Sequence, residues 1–270
     1  MDLILVGPGR AGLSLAHRLI GAEHRIVGVL ARDDAVAGSA AAMLDTVVLS
    51  WEGNLPAADL LVIAVRDDAI DEVAGRLSNA VADVAGAVHL SGLTPVAALG
   101  SLQGPMVGSF HPLQTLPDPR AGAARLEGAW VAVTASDDFL ADRLFALARS
   151  IGMHPFELED EVKPLYHAAA AAAANFPLAA LAMAERLFEA AGVPFAAASP
   201  LVEAVVANSA KLGPVAALTG PIARGDVGTV RAQLEAVASA TPDLLDTFKA
   251  FGRSTARTAG TEDVMSEVLE

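Results

Sequence analysis

The segment Gly7-Pro8-Gly9-Arg10-Ala11-Gly12 has the spacing G-x-G-x-x-G. It follows the apolar run Leu3-Ile4-Leu5-Val6 and precedes Leu13, Ala16, Leu19 and Ile20 at helical spacing. A glycine corner between a buried strand and a helix leaves backbone N–H groups free to face phosphate oxygens. Gly7 permits the tight turn, Gly9 lets the backbone approach a pyrophosphate, and Gly12 lets helix and strand pack closely. Pro8, Arg10 and Ala11 complete the loop. The chemistry implied is the capture of a dinucleotide. No Lys-Ser/Thr pair follows, which excludes a P-loop. The next strand ends Leu30-Ala31-Arg32-Asp33. A carboxylate at that point holds the ribose hydroxyls of NAD, whereas the Arg32 guanidinium suits a 2′-phosphate. NADP(H) is therefore expected in preference to NAD(H). Pairing of Arg32 with Asp33 or Asp34 is the plain alternative. Val65 and Asp67, which follow a further strand, are expected to border the same ligand.

A second group of residues is able to move protons. Strand ends carry His89-Leu90-Ser91-Gly92 and Gly108-Ser109-Phe110-His111-Pro112-Leu113-Gln114. Farther on, Lys163, Tyr166 and His167 fall within one and a half helical turns, spanning about 100° of helix surface. Asn175 follows next to Pro177. A nicotinamide-dependent reductase needs a bound cofactor, a dry pocket and a proton donor. Ser91, His111, Lys163, Tyr166, His167 and Asn175 are the candidate catalytic residues. Spacing does not choose among them, and each also has an ordinary structural role open to it. No G-x-S-x-G surrounds Ser14, Ser91 or Ser109, and the six histidines form no H-E-x-x-H cluster. No metal site is expected. The acidic run 157–161 reads as a solvated approach to a helix start.

These residues need elements to hold them. Short apolar runs at 3–6, 25–30, 47–49, 59–65, 84–90, 106–110 and 130–134 read as strands. Helical patterns at 10–21, 34–44, 68–77 and 137–151 lie between them. The alternation specifies an α/β domain, a doubly wound and mostly parallel sheet of the Rossmann type. After residue 155 the pattern becomes all helical. A long alanine-rich helix starts near Asp160 and should be kinked by Pro177. Further helices are expected at 199–212, 227–240 and 242–257. The expected organisation is a dinucleotide-binding domain over 1–155 and a helical substrate and dimerisation domain over 156–270.

Composition removes several classes. A formal net charge of −14 leaves no basic footprint for nucleic acid or an anionic membrane. Aromatic residues are 4% of the chain, too few for stacking platforms, and there are no cysteines for disulfides, thiolate metal sites or thiol nucleophiles. The N-terminal apolar run is too short for a signal peptide. The stretch 168–184 is interrupted by Asn175 and Pro177, and a membrane span needs roughly 20 mostly apolar residues. A cytoplasmic protein without a membrane partner is expected.

With these motifs assembled, the chain resembles bacterial Rossmann-like proteins whose C-terminal helical part is a family of unknown function. They stand in the 6-phosphogluconate-dehydrogenase-like group, near pyrroline-5-carboxylate reductase and the deazaflavin-dependent NADP reductases. The matching segments are Gly7–Gly12, Val62–Asp68, His89–Gly92, Gly108–Gln114, Tyr166–Asn175, Gly220-Pro221 and Arg224–Asp226. The resemblance implies an NADP-binding domain, an oxidoreductase and a helical domain that commonly pairs two subunits, hence a homodimer. It implies no particular substrate. In the dehydrogenase branch a lysine stands four residues before an asparagine, whereas Lys163 and Asn175 are twelve apart. That leaves His167 or Tyr166, with His111, as proton donor. The expected function is NADP(H)-dependent reduction of a small C=O or C=N compound. The alternative is a non-catalytic sensor of the dinucleotide pool.

Overall fold

The computed structural model describes all 270 residues, which form two compact units, Met1–Ala174 and Asn175–Glu270. In the first unit the strands are β1 (Asp2–Val6), β2 (Arg25–Leu30), β3 (Ala58–Ile63), β4 (Val84–His89), β5 (Met106–Pro112), β6 (Trp130–Ala135) and β7 (His154–Glu157). They make one sheet of order β2-β1-β3-β4-β5-β6-β7, parallel throughout except for the β5–β6 pair. Interleaved helices are α1 (Arg10–Ile20), α2 (Asp34–Met43), α3 (Ile70–Leu77), α4 (Pro119–Leu126) and α5 (Asp138–Ser150).

The sheet is buried on both faces, which is why its strands read as continuous apolar runs. In β1, Leu3 and Leu5 enter one core with Leu60 and Val62 of β3, under α1, α2 and α5. Ile4 and Val6 enter the other with Leu61 and Ile63, under α3. This is the doubly wound α/β architecture expected. The chain order reverses between β1 and β3, and a crevice opens at such a switch point beyond the strands' carboxyl ends.

Several details differ from the sequence expectation. Residues 47–49 contribute only an isolated bridge, Val29 to Val48, instead of a strand. Helix α4 was not expected. It is capped by Asp118, whose side chain accepts from the Arg120 and Ala121 N–H groups, and it packs on α1. The fit is close enough that a Cβ on Gly122 would lie 2.1 Å from Ser14 Oγ. The boundary expected at 155 moves to 174/175. The reason is β7, which pairs with β6 in parallel, together with the first turns of the next helix, whose side chains are held by the α/β unit.

That next helix is α6 (Lys163–Ala190), which continues through Pro177 without a break. The second unit goes on with α7 (Ser199–Leu212), the short α8 (Pro214–Ala217), α9 (Val227–Ala240), α10 (Leu245–Ala259) and α11 (Glu262–Leu269). Its core is small and lies among α9, α10 and α11, built on Val230, Leu234, Ala256, Met265 and Leu269. Helix α6 buries only Lys163, and α7 buries nothing. The helical stretch Asp160–Ala190 is long and apolar enough to cross a membrane by length and composition, with a mean hydropathy of 1.3 over an 18-residue window.

Candidate active site

The glycine loop turns between β1 and α1. Gly7 has φ +81°, and a Cβ there would lie 2.7 Å from Val65 Cγ1 and 2.9 Å from the Ala64 carbonyl oxygen. Only glycine adopts this backbone without strain. A Cβ on Gly12 would come 2.8 Å from the Gly7 oxygen, whereas one on Gly9 would meet nothing within 4 Å. Gly9 therefore faces open space at the mouth of the crevice. Helix α1 begins with no side-chain cap and no acidic residue in its first turn. Helices α2, α4 and α5 are all capped by aspartates. The first amides of α1 are left to find an acceptor elsewhere, at the positive end of the helix dipole. This cradle fits a pyrophosphate.

A cleft of about 390 Å³ lies over this corner, lined by Gly9, Arg10, Ala11, Val65, Arg66 and His111 among others. Pro8 faces away from it, into an apolar groove against α2. Asp67 is exposed at the start of a single 3-10 turn, and its charge is felt at His111. Arg32 is exposed at the end of β2. The Asp33 carboxylate is turned to cap α2, accepting from the Val36 N–H at 3.0 Å. The weighed pairing of Arg32 with Asp33 or Asp34 does not form, and the guanidinium stays available to an anion. Arg66 is engaged with Asp68 through two nitrogens, at 3.1 and 2.7 Å.

His111, which lines the cleft, meets two further candidate residues, Tyr166 and His167. His111, at the end of β5, has its Nδ1 2.8 Å from the Tyr166 hydroxyl of α6. The two rings meet edge to face with centroids 5.5 Å apart, and His167 follows at 6.4 Å from His111. Burial is the main force lowering the His111 pKa to about 4, with repulsion from His167 and Lys163 adding to it and Asp67 opposing. Burial likewise pushes the Tyr166 phenol up to about 12. At neutral pH the pair is an uncharged imidazole against an uncharged phenol. Gly92 also stands against His111, and a Cβ there would fall within 2.7 to 2.9 Å of three ring atoms.

The remaining candidates sit elsewhere. Ser91 Oγ accepts from the N–H groups of Leu93 and Thr94, at 3.1 and 2.9 Å, so the side chain shapes a turn. Lys163 is buried, pairs with Asp160 at 2.7 Å and donates to the Thr94 carbonyl at 3.1 Å. Asn175 is exposed and opens the second unit. Sequence reading passed over His89 as a functional group. It is fully buried, and its Nδ1 accepts from the Ser91 N–H at 3.2 Å. Burial and the Lys163 charge lower its pKa to about 4. Asp160 was missed as well, because it was read as part of a solvated run. Its spacing of three residues from Lys163 was the available signal.

Comparison with known proteins agrees with this architecture. Residues 1–112 match the model of a Rossmann-like domain, and residues 129–255 match that of a domain of unknown function, DUF2520. No curated protein matches the sequence. Among solved structures, a Bacteroides fragilis protein whose name proposes an NADP oxidoreductase is similar with a TM-score of 0.81 at 24% identity. The likeness covers 95% of this chain and 98% of that one. A Thermotoga maritima protein whose name gives no activity has a TM-score of 0.77 at 22% identity, over 96% of this chain and 99% of its own. An imine reductase of Streptomyces aurantiacus has a TM-score of 0.67 at 18% identity, over 98% of this chain and 99% of its own. At these identities the likeness is one of fold.

The two depressed histidines set a pH dependence. An unfolded chain protonates His89 and His111 near the ordinary 6.5, while the folded chain resists down to about 4. Between those values the unfolded state binds more protons, so stability rises with pH and is lost as pH falls from 6.5 to 4. For His89 alone the loss is on the order of 3 kcal/mol. Urea unfolding across this range should show the decline, with both imidazoles remaining neutral by NMR down to about pH 4. Constant stability over the same range would contradict it.

Proposed function

We propose that this chain is an NADP(H)-dependent reductase of a small C=O or C=N compound. The observation that carries the reading is His111, which is hydrogen-bonded to Tyr166 and lines the same cleft as the uncapped start of α1. The amides of Arg10, Ala11 and Gly12 hold the pyrophosphate. Arg32 takes the 2′-phosphate, and Val65 borders the dinucleotide. When bound, the nicotinamide supplies the hydride.

The protein's own part is the proton. Tyr166 keeps its proton at neutral pH and gives it up only to a strongly basic atom, such as the alkoxide or nitrogen anion that hydride addition creates. The phenol O–H bond breaks as the new O–H or N–H bond forms. His111, uncharged, keeps its proton and donates an Nδ1–H hydrogen bond to the phenolate left behind, and a solvent proton restores the phenol. His167 stands next in line toward His111. Oxidation of NADPH should be seen at neutral pH with some member of a panel of small ketones, imines and oxidised deazaflavin. Tyr166→Phe should lower turnover by roughly 10²- to 10⁴-fold while leaving NADPH affinity nearly unchanged. Tight binding with no turnover on any member would favour the sensor reading instead.

Cofactor choice rests on Arg32. Replacing it with alanine removes a charge-assisted contact, so NADPH affinity should fall by about tenfold to a hundredfold while NADH affinity holds. Calorimetry with both dinucleotides checks this, and equal losses would refute the assignment.

A second copy of the chain is proposed to cover α6 and α7. Phe176, Leu178, Leu201 and Val206 are each more than 60% exposed, and monomers rarely leave large apolar patches in water. Much of the apolar character of α6 is alanine, in the run 168–174, which favours close helix packing over insertion into lipid. Light scattering on the purified protein should report twice the chain mass without detergent. A monomer at micromolar concentration, or recovery only with membranes, would overturn this.

A further inference from the structure

The loop of residues 91–96 meets the His111 ring at Gly92, yet it has no secondary structure of its own until the 3-10 turn at Val96–Leu99. Its backbone is held by side chains at both ends. At its start, His89 Nδ1 accepts from the Ser91 N–H, and Ser91 Oγ accepts from Leu93 and Thr94. At its end, Lys163 Nζ donates to the Thr94 carbonyl at 3.1 Å, and Asp160 Oδ2 accepts from the Val96 N–H at 2.9 Å. These two contacts flank Pro95, which has no N–H to offer. Asp160 Oδ1 completes the arrangement with Lys163 at 2.7 Å.

We infer that Asp160 and Lys163 are a positioning pair: gripping the loop on both sides of Pro95, they press Gly92 against His111 and so set the His111–Tyr166 hydrogen bond. The geometry makes this coupling direct. Lys163 and Tyr166 are one turn apart on α6. The helix thus holds the phenol against His111 Nδ1 and, through the ion pair, the loop that carries Gly92 against the same ring. Gly92 leaves no room between loop and ring, since even a methyl group there would overlap three imidazole atoms. A loop free to move by an ångström would let the ring turn and lose the phenol.

A buried ammonium is costly unless it is paired and hydrogen-bonded, and Lys163 is 1% exposed. Both of its observed contacts go to Asp160 and the Thr94 carbonyl, which gives it a mechanical role. This inference rests on His111–Tyr166 being the proton-donating pair. It is separable from that reading, because the position of the His111 ring can be read without any substrate.

The test uses the full-length protein, with Lys163→Met and the double variant Asp160→Ala/Lys163→Met. The double variant leaves no buried charge unpaired and decides the matter if the single variant does not fold. Imidazole ¹⁵N spectra, assigned with His111→Asn, report the tautomer of His111 and its bond to Tyr166. Asp67, His167 and Tyr166 also face this ring, so they are kept unchanged. The folded variants are expected to lose the wild-type His111 signals and the amide positions of Leu93, Thr94 and Val96. NADPH affinity should stay within about twofold, and turnover on a reducible substrate should fall about tenfold to a hundredfold. His111 signals that coincide with the wild type in the double variant would overturn the inference. So would abolished turnover with unchanged His111 signals, which would make Lys163 a proton donor in its own right. If no substrate is ever reduced, the spectra still decide whether the pair positions His111.

Discussion

The organising constraint is the uncapped start of α1. A helix leaves its first amides without internal partners, and proteins normally satisfy them with a side chain. This chain does so with Asp33, Asp118 and Asp137 at α2, α4 and α5, and with Asp226 at α9. At α1 it places Gly9, with no side chain and open space before it. The amides there, the dipole behind them and Arg10 beside them are suited to an anion. Everything nearby serves that corner: Gly7 turns the chain, Gly12 lets the helix lie against β1, and Val65 closes the wall.

The rest of the site is built from polar groups taken out of water. His89, His111 and Lys163 are all held toward their neutral forms by burial. Lys163 offsets that cost through Asp160 and a backbone carbonyl, and His111 through Tyr166. An uncharged imidazole against an uncharged phenol creates little field of its own. It becomes polar only when a basic atom draws the phenol's proton away. Under the proposed reductase reading, such a pair favours the charge distribution of a reduction in progress over that of the resting site.

Much of this was legible in the sequence. Gly7–Gly12 and the apolar runs around it gave the strand, the turn and the helix, because each glycine there answers a steric demand. The strand-end segments placed His111 and Ser91 near one another, and helical spacing grouped Lys163, Tyr166 and His167. Spacing cannot rank such residues, since the ranking comes from contacts distant in sequence. Lys163 meets Thr94 across 69 positions and Tyr166 meets His111 across 55. Short β7 was missed because four residues carry little periodicity and its neighbours supply the pairing. Helix α4 was missed although Asp118-Pro119 is a good start signal, because its composition lacks an apolar stripe. In the second unit α7, α9 and α10 were visible from alanine content and capping, while α8, α11 and the sparse core of α9 to α11 were not.

The central claim is that the bare amides of α1 grip a diphosphate bridge. The most direct measurement is a ¹H–¹⁵N titration of the protein with NADPH, following Arg10, Ala11 and Gly12. Their resonances should move together and saturate, with downfield proton shifts as each amide gains an anionic acceptor. Resonances that stay in place up to millimolar dinucleotide would contradict the account, whatever activity the protein proved to have.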